Sequence, residues 1–100
     1  MSEADVLKQC LDYLKIKGVY AWRNNTGAYK KGGFYIRYGK VGSSDILGIM
    51  NDGRFLAVEC KREKGGKLSE AQIDFLNAIK SRGGVAVCVR SVEELKEALS

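Results

Sequence analysis

One hundred residues, 45% of them hydrophobic, with a single Trp and no long polar tract, suit a single globular domain spanning 1–100 with one core and no linker. No apolar run approaches the roughly 20 residues that cross a bilayer, and the opening "MSEADVLKQC" is acidic where a signal or transit peptide is basic, so a soluble, intracellular protein is expected. Cys10, Cys60 and Cys88 are odd in number and far apart, and with no histidine in the chain they support neither a zinc site nor a disulfide framework; they read as small buried hydrophobes in a reducing compartment.

The net charge of +5 is unevenly spread. Between Tyr13 and Ser44 there is no acidic residue, while Lys15, Lys17, Arg23, Lys30, Lys31, Arg37 and Lys40 make that window +7 and leave −2 for the remainder. The same window holds Tyr20, Trp22, Tyr29, Phe34, Tyr35 and Tyr38. Cations interleaved with aromatic rings suit a phosphate backbone and unstacked bases; a solvated basic face over an ordinary aromatic core is the competing reading.

Taken in chain order, Ser2 caps a first helix, whose apolar residues Val6, Leu7, Cys10, Leu11 and Leu14 recur at helical spacing until Gly18 stops it. "VYAWR" (Val19 to Arg23) then reads as a strand, "NNTGAYKKGG" as a polar loop, and "FYIRY" (Phe34 to Tyr38) as a second strand. "DILGIM" and "RFLAVECK" follow as two strands joined at "NDG", a hairpin signal. "LSEAQ" makes Ser69 an N-cap with Gln72 three residues on, a capping box ahead of a helix bearing Phe75, Leu76 and Ile79, which Gly83 and Gly84 terminate. "VAVCV" (Val85 to Val89) is almost wholly apolar, as a central strand buried on both faces would be, and Ser91 with Glu94 caps a last short helix. The predicted order α-β-β-β-β-α-β-α describes an α/β or α+β domain with a mixed sheet flanked by helices.

The turn at "NDG" decides which side chains meet. A three-residue loop with Gly53 in the left-handed position pairs Met50 with Arg54 and sets Asp45 across from Glu59; a two-residue turn pairs Asn51 with Arg54 and turns Asp45 toward Cys60 instead. Only the first register puts both carboxylates on one face, and it is the register expected here. The carbons bearing them would then lie roughly 5 Å apart, a like-charge pair that a divalent cation relieves. Ligation by Asp45, Glu59, a backbone carbonyl and waters describes a hard-cation site, magnesium (Mg2+) first and manganese (Mn2+) as substitute. Lys61, two positions beyond Glu59, emerges on the same face, where its ammonium can hold an attacking water or offset charge on a phosphate; a strand-end ion pair between Glu59 and Lys61 is the plainer reading.

"SSDILGI", then "AVECKRE" about a dozen residues later, then "LSEAQIDFLNAI" resemble the PD-(D/E)xK nuclease superfamily, and within it the VRR-NUC (virus-type replication-repair nuclease) domain. The resemblance covers nearly the whole chain, including the "SEADVLKQCLDYLKIKG" helix and "WRNNTG". It implies a restriction-endonuclease-like α/β core and metal-dependent hydrolysis of DNA phosphodiester bonds. By position, it makes Asp45 and Glu59 metal ligands together with the Cys60 backbone carbonyl, and Lys61 the catalytic lysine. Gln72 matches the glutamine of the following helix, either as a brace for the site or as a capping residue alone. Glu3 matches an acidic residue of the first helix; helical geometry sets it above Leu7 and Cys10 on the buried stripe, although a first-turn Glu also suits the helix dipole. Arg23, Asn24 and Thr26 would sit in the DNA-facing region along with Lys30, Lys31, Arg37 and Lys40. Ser44 stands where the superfamily has a nominal proline, which costs no ligand.

Stand-alone domains of this family are typical of bacteria and phages and resemble junction-resolving enzymes with paired active sites. The resemblance therefore implies a homodimeric, structure-selective endonuclease of Holliday-junction type, acting in the cytoplasm of a bacterium or phage-infected cell. A DNA-binding module of the same fold that has lost its chemistry is the alternative. A nucleotide hydrolase is the second rival, disfavoured because neither "GKVGSS" nor "KGGKLS" fits a Walker A loop.

Overall fold

A computed structural model describes all residues, Met1–Ser100. Helix α1 (Glu3–Ile16) is followed by strand β1 (Tyr20–Arg23), the hairpin β2 (Gly27–Lys31) and β3 (Phe34–Tyr38), strands β4 (Ile46–Ile49) and β5 (Phe55–Cys60), helix α2 (Glu70–Ser81), strand β6 (Val85–Val89) and helix α3 (Val92–Leu99). β1, β4, β5 and β6 form a mixed four-stranded sheet in that order, antiparallel except where β6 runs parallel to β5; β2 and β3 form a separate two-stranded sheet. No helix is long and apolar enough to cross a membrane.

Local chemistry sets the helix ends. Ser2 accepts from the Asp5 amide while the Asp5 carboxylate accepts from the Ser2 amide, and Ser69 and Gln72 make the same reciprocal pair at α2. Alternation along β5 then divides the core. Leu56, Val58 and Cys60 face α1 and α3, packing with Val6, Cys10, Leu14, Ile46, Val89 and Leu95. Ala57 faces the other way, toward Leu76 and Ala86, with Leu47, Phe75 and Ile79 beside it. Each fully buried Leu or Val contributes about 1.5–3 kcal/mol, so the stack around β5 dominates the stability.

Three expectations are corrected. The segment expected as a polar loop contains a strand, β2, which pairs with β3 from Gly27↔Tyr38 to Lys31↔Phe34. Its turn is Gly32–Gly33, with φ of 56° and 85°, the two positive values that a two-residue hairpin turn of the primed type requires. β6 is an edge strand, paired with β5 alone. Its apolar sequence reflects helices packed on both of its faces, α2 on one and α3 on the other, and hydropathy records covered faces without recording neighbours in the plane of the sheet. Cys10 and Cys60 are buried as expected, whereas Cys88 is exposed.

Candidate active site

The β4–β5 turn settles which carboxylates face each other. The Met50 amide donates to the Arg54 carbonyl at 2.8 Å, the Gly53 amide donates to the Met50 carbonyl at 2.8 Å, and Gly53 has φ of 91°. This is the three-residue loop. Ile46 pairs with Val58, so the next position outward brings Asp45 opposite Glu59. Both lie on the α2 side, because residues 57, 59 and 61 alternate with the core-facing 56, 58 and 60.

Beyond Ile46 the ladder changes from backbone to side chain. The Cys60 amide donates to Asp45 Oδ2 at 2.8 Å, which fixes one carboxylate oxygen. The Cys60 carbonyl lies on the same edge of its strand as that amide, and so points toward β4 and Asp45. The Asn24 amide reaches the Asp45 carbonyl at 2.7 Å, and Asn24 Nδ2 donates to Ser43 Oγ at 2.7 Å and to the Ser44 carbonyl at 2.9 Å. Asn24, expected in the DNA-facing region, thus latches the segment that delivers Asp45. Gly42 brings that segment against α2: at φ of 84°, a Cβ there would lie 2.5 Å from the Ala71 carbonyl oxygen.

Glu59 is 2% exposed, and Gln72 Nε2 donates to its Oε1 at 3.0 Å while its Oε2 has no partner. Gln72 fills both roles that its sequence position allowed, since its Oε1 also accepts from the Ser69 amide at 2.9 Å. Lys61 is 8% exposed with Nζ 4.0 Å from Glu59 Oε1. Burial, and after it the adjacent Asp45 carboxylate, push the Glu59 pKa up to about 8; Lys61 pulls it down and Glu3 adds a smaller upward push. Glu3 itself is exposed, a correction to its expected place on the buried stripe. It begins α1, on the opposite side of the sheet, and the site feels its field without any hydrogen bond to it.

A buried carboxylate with an orphaned oxygen, beside a second carboxylate and held largely protonated near neutrality, fits a divalent cation that would neutralise both. No third acidic, Cys or His side chain completes a cluster, so the oxygen donors available are Asp45, Glu59, the Cys60 carbonyl and water. The site lies at the ends of the two inner strands, β4 and β5. A hollow lined by Asp52, Phe55, Ile79 and Arg82 lies at the opposite end of β5, away from this chemistry.

Arg90, which the sequence reading passed over, anchors the loop behind Lys61. Its guanidinium donates to the carbonyls of Arg62 at 2.8 Å, of Gly66 at 2.9 Å and of Gly65, while the Lys61 amide is tied to the Val89 carbonyl at 2.9 Å. Nothing local marks such a role, since a guanidinium forking onto carbonyls distant in the chain leaves no spacing motif. Replacing Arg90 with alanine is expected to cost about 1–3 kcal/mol and to accelerate amide hydrogen exchange across residues 62–67. Arg90→Lys should restore little of this protection, because an ammonium cannot reproduce the planar fork.

Of the expected DNA-facing residues, Arg23 ends β1 beside Asp45, whereas Lys30, Lys31 and Arg37 lie out on the β2–β3 hairpin. Thr26 and Lys40 sit at its base, and all of these are exposed. The six aromatic residues of the basic window are exposed as well, which removes the reading of an aromatic core.

An aspartate at the start of one strand, a Glu-x-Lys at the end of its antiparallel neighbour and a glutamine reaching over from the next helix define a nuclease of the PD-(D/E)xK type. Within that class, the model of the VRR-NUC domain family matches residues 5–93, and the chain belongs to this family. A nuclease domain implies DNA as the substrate. No curated protein sequence matches the chain.

Proposed function

We propose that this domain is a magnesium-dependent endonuclease that hydrolyses phosphodiester bonds in branched DNA, with manganese able to replace magnesium, and that it works in the cytoplasm as a homodimer. The observation that carries the reading is the buried Glu59 facing the half-buried Asp45 with Lys61 beside it, because two facing carboxylates largely withdrawn from water are costly to keep unless a cation joins them. The bound ion would supply a Lewis acid for the scissile phosphate and lower the pKa of an attacking water.

The chain's own groups divide the remaining work. The Cys60 amide holds Asp45 and Gln72 holds Glu59, so both ligands are oriented before the ion arrives. The Lys61 ammonium stands on the same face, where it can steer the attacking water and offset charge on the phosphate. Exposed Arg23, Thr26, Lys30, Lys31, Arg37 and Lys40 supply backbone contacts that hold the duplex without reading its sequence. A four-way junction has two equivalent strands to cut, and a two-fold dimer presents two such sites to it.

Incubation with plasmid and with synthetic four-way junctions, in magnesium or in EDTA, tests the reading. The expected result is metal-dependent cleavage with preference for the junction, by a species that sediments as a dimer at micromolar concentration. Folded protein that binds DNA without metal-dependent cleavage would instead make it a binding module. A monomer that cuts without regard to junction structure would remove the dimer and the substrate class.

A further inference from the structure

The β2–β3 hairpin stands apart from the rest of the molecule. Every residue of both strands is exposed, and no helix or other strand packs extensively against the hairpin. The molecule is correspondingly elongated, at 47 × 31 × 24 Å, and its radius of gyration of 14.0 Å exceeds the roughly 13 Å of a compact 100-residue domain. The arm leaves the sheet just after Arg23 and returns just before Asp45, so it rises from the active-site end.

Its pleat divides the side chains between two faces, one richer in rings and the other in cations. The pairs Gly27↔Tyr38, Tyr29↔Ile36 and Lys31↔Phe34 share one face, and Ala28↔Arg37 and Lys30↔Tyr35 the other. The first face is an aromatic platform, with the Tyr29 and Tyr38 rings 6.4 Å apart and Phe34 at the tip 76% exposed. The second carries Lys30 and Arg37, with the exposed ring of Tyr35 across from Lys30. No carboxylate lies on the arm or on the segments that connect it to the sheet, between Tyr13 and Ser44.

We propose that this arm inserts at the branch point of the DNA, where unpaired bases stack on Tyr29 and Tyr38 while Lys30 and Arg37 meet the phosphates of a neighbouring strand. Charge complementarity selects this occupant. Two copies joined through the aromatic face would bring the Lys31 ammonium groups together with no acidic partner and leave Lys30 and Arg37 on the outer faces without counter-charges, whereas a nucleic acid offers both the ring faces and the anions. The inference deepens the nuclease reading and rests on it for its substrate.

The test uses a forked oligonucleotide with 2-aminopurine at its first unpaired position, in EDTA so that nothing is cut, beside a blunt duplex of equal length. The wild-type chain should quench the probe and prefer the fork. The double substitution Tyr29→Ala, Tyr38→Ala should lose about tenfold or more in affinity for the fork and little for the duplex, and Tyr29→Phe, Tyr38→Phe should retain the preference. Gly27→Val provides a second route that deletes no aromatic ring: a Cβ at position 27 would lie 2.5 Å from Tyr38 Oη, so it tilts that ring and should weaken the fork complex selectively.

Equal losses on fork and duplex, or no quenching, overturn the proposal. Conversion of a dimer to a monomer by the alanine pair also overturns it, by assigning the platform to a second copy. Selective fork binding by a chain that cleaves nothing in magnesium would sink the nuclease reading and leave the arm. Cleavage with unchanged fork preference in the alanine pair would do the reverse.

Discussion

Lys61→Ala is expected to lower DNA cleavage by about 10²–10⁴-fold while changing DNA affinity by less than about threefold. Lys61 is almost wholly buried along its stem and delivers a single ammonium to the face shared by Asp45 and Glu59. An ammonium so placed has little access to phosphates away from the reacting one, so its loss should appear in the rate more than in binding. It also pulls the Glu59 pKa down, so the alanine variant should hold the Glu59 proton to higher pH and bind magnesium more weakly near neutrality. The two effects separate when cleavage is measured at pH 9 with saturating magnesium. If the rate returns there to within a few-fold of wild type, Lys61 acts only through Glu59 and its direct role is refuted. A parallel loss of DNA affinity would make it a phosphate anchor instead.

Most of the site was legible because its parts obey local rules. The left-handed Gly53 ties "NDG" to one register, which alone places Asp45 opposite Glu59, and the capping box at Ser69 brings Gln72 over the end of β5. What escaped reading depends on distance or on exposure. "GAYKK" has no buried face, so it lacks the alternation that marks a strand, and only the Gly32–Gly33 turn betrayed the hairpin. The edge position of β6 was hidden because helices on both faces produce the same apolar run as a central strand. Glu3 falls on the right helical stripe, yet it stands in the first turn, at an end of α1 that the core does not cover. Arg90 and Asn24 act on backbone groups 20 or more residues away, through contacts that exist only once the sheet has formed.

The same pair of carboxylates that makes the site also strains the fold, and Glu59→Gln measures that strain. Folding raises the Glu59 pKa from an ordinary 4.5 to about 8, so across that window the native state holds a proton that the unfolded chain has released. Without metal, stability therefore falls as pH climbs from about 4.5 to 8 and levels off above it. A glutamine at this position can present its oxygen to Gln72 Nε2 and its amide nitrogen toward Asp45, which replaces the repulsion with a hydrogen bond. The metal-free variant should match wild type at pH 5 and exceed it by about 1–3 kcal/mol at pH 8–9. For a domain of this size that is a rise of about 4–8 °C in Tm for each kcal/mol. Magnesium should raise the Tm of wild type at pH 8 and leave the variant nearly unmoved, and cleavage by the variant should fall to background. A variant less stable than wild type at pH 8 would mean that attraction between Glu59 and Lys61 outweighs repulsion between Glu59 and Asp45. Repulsion between the two carboxylates would then no longer call for a cation at these strand ends.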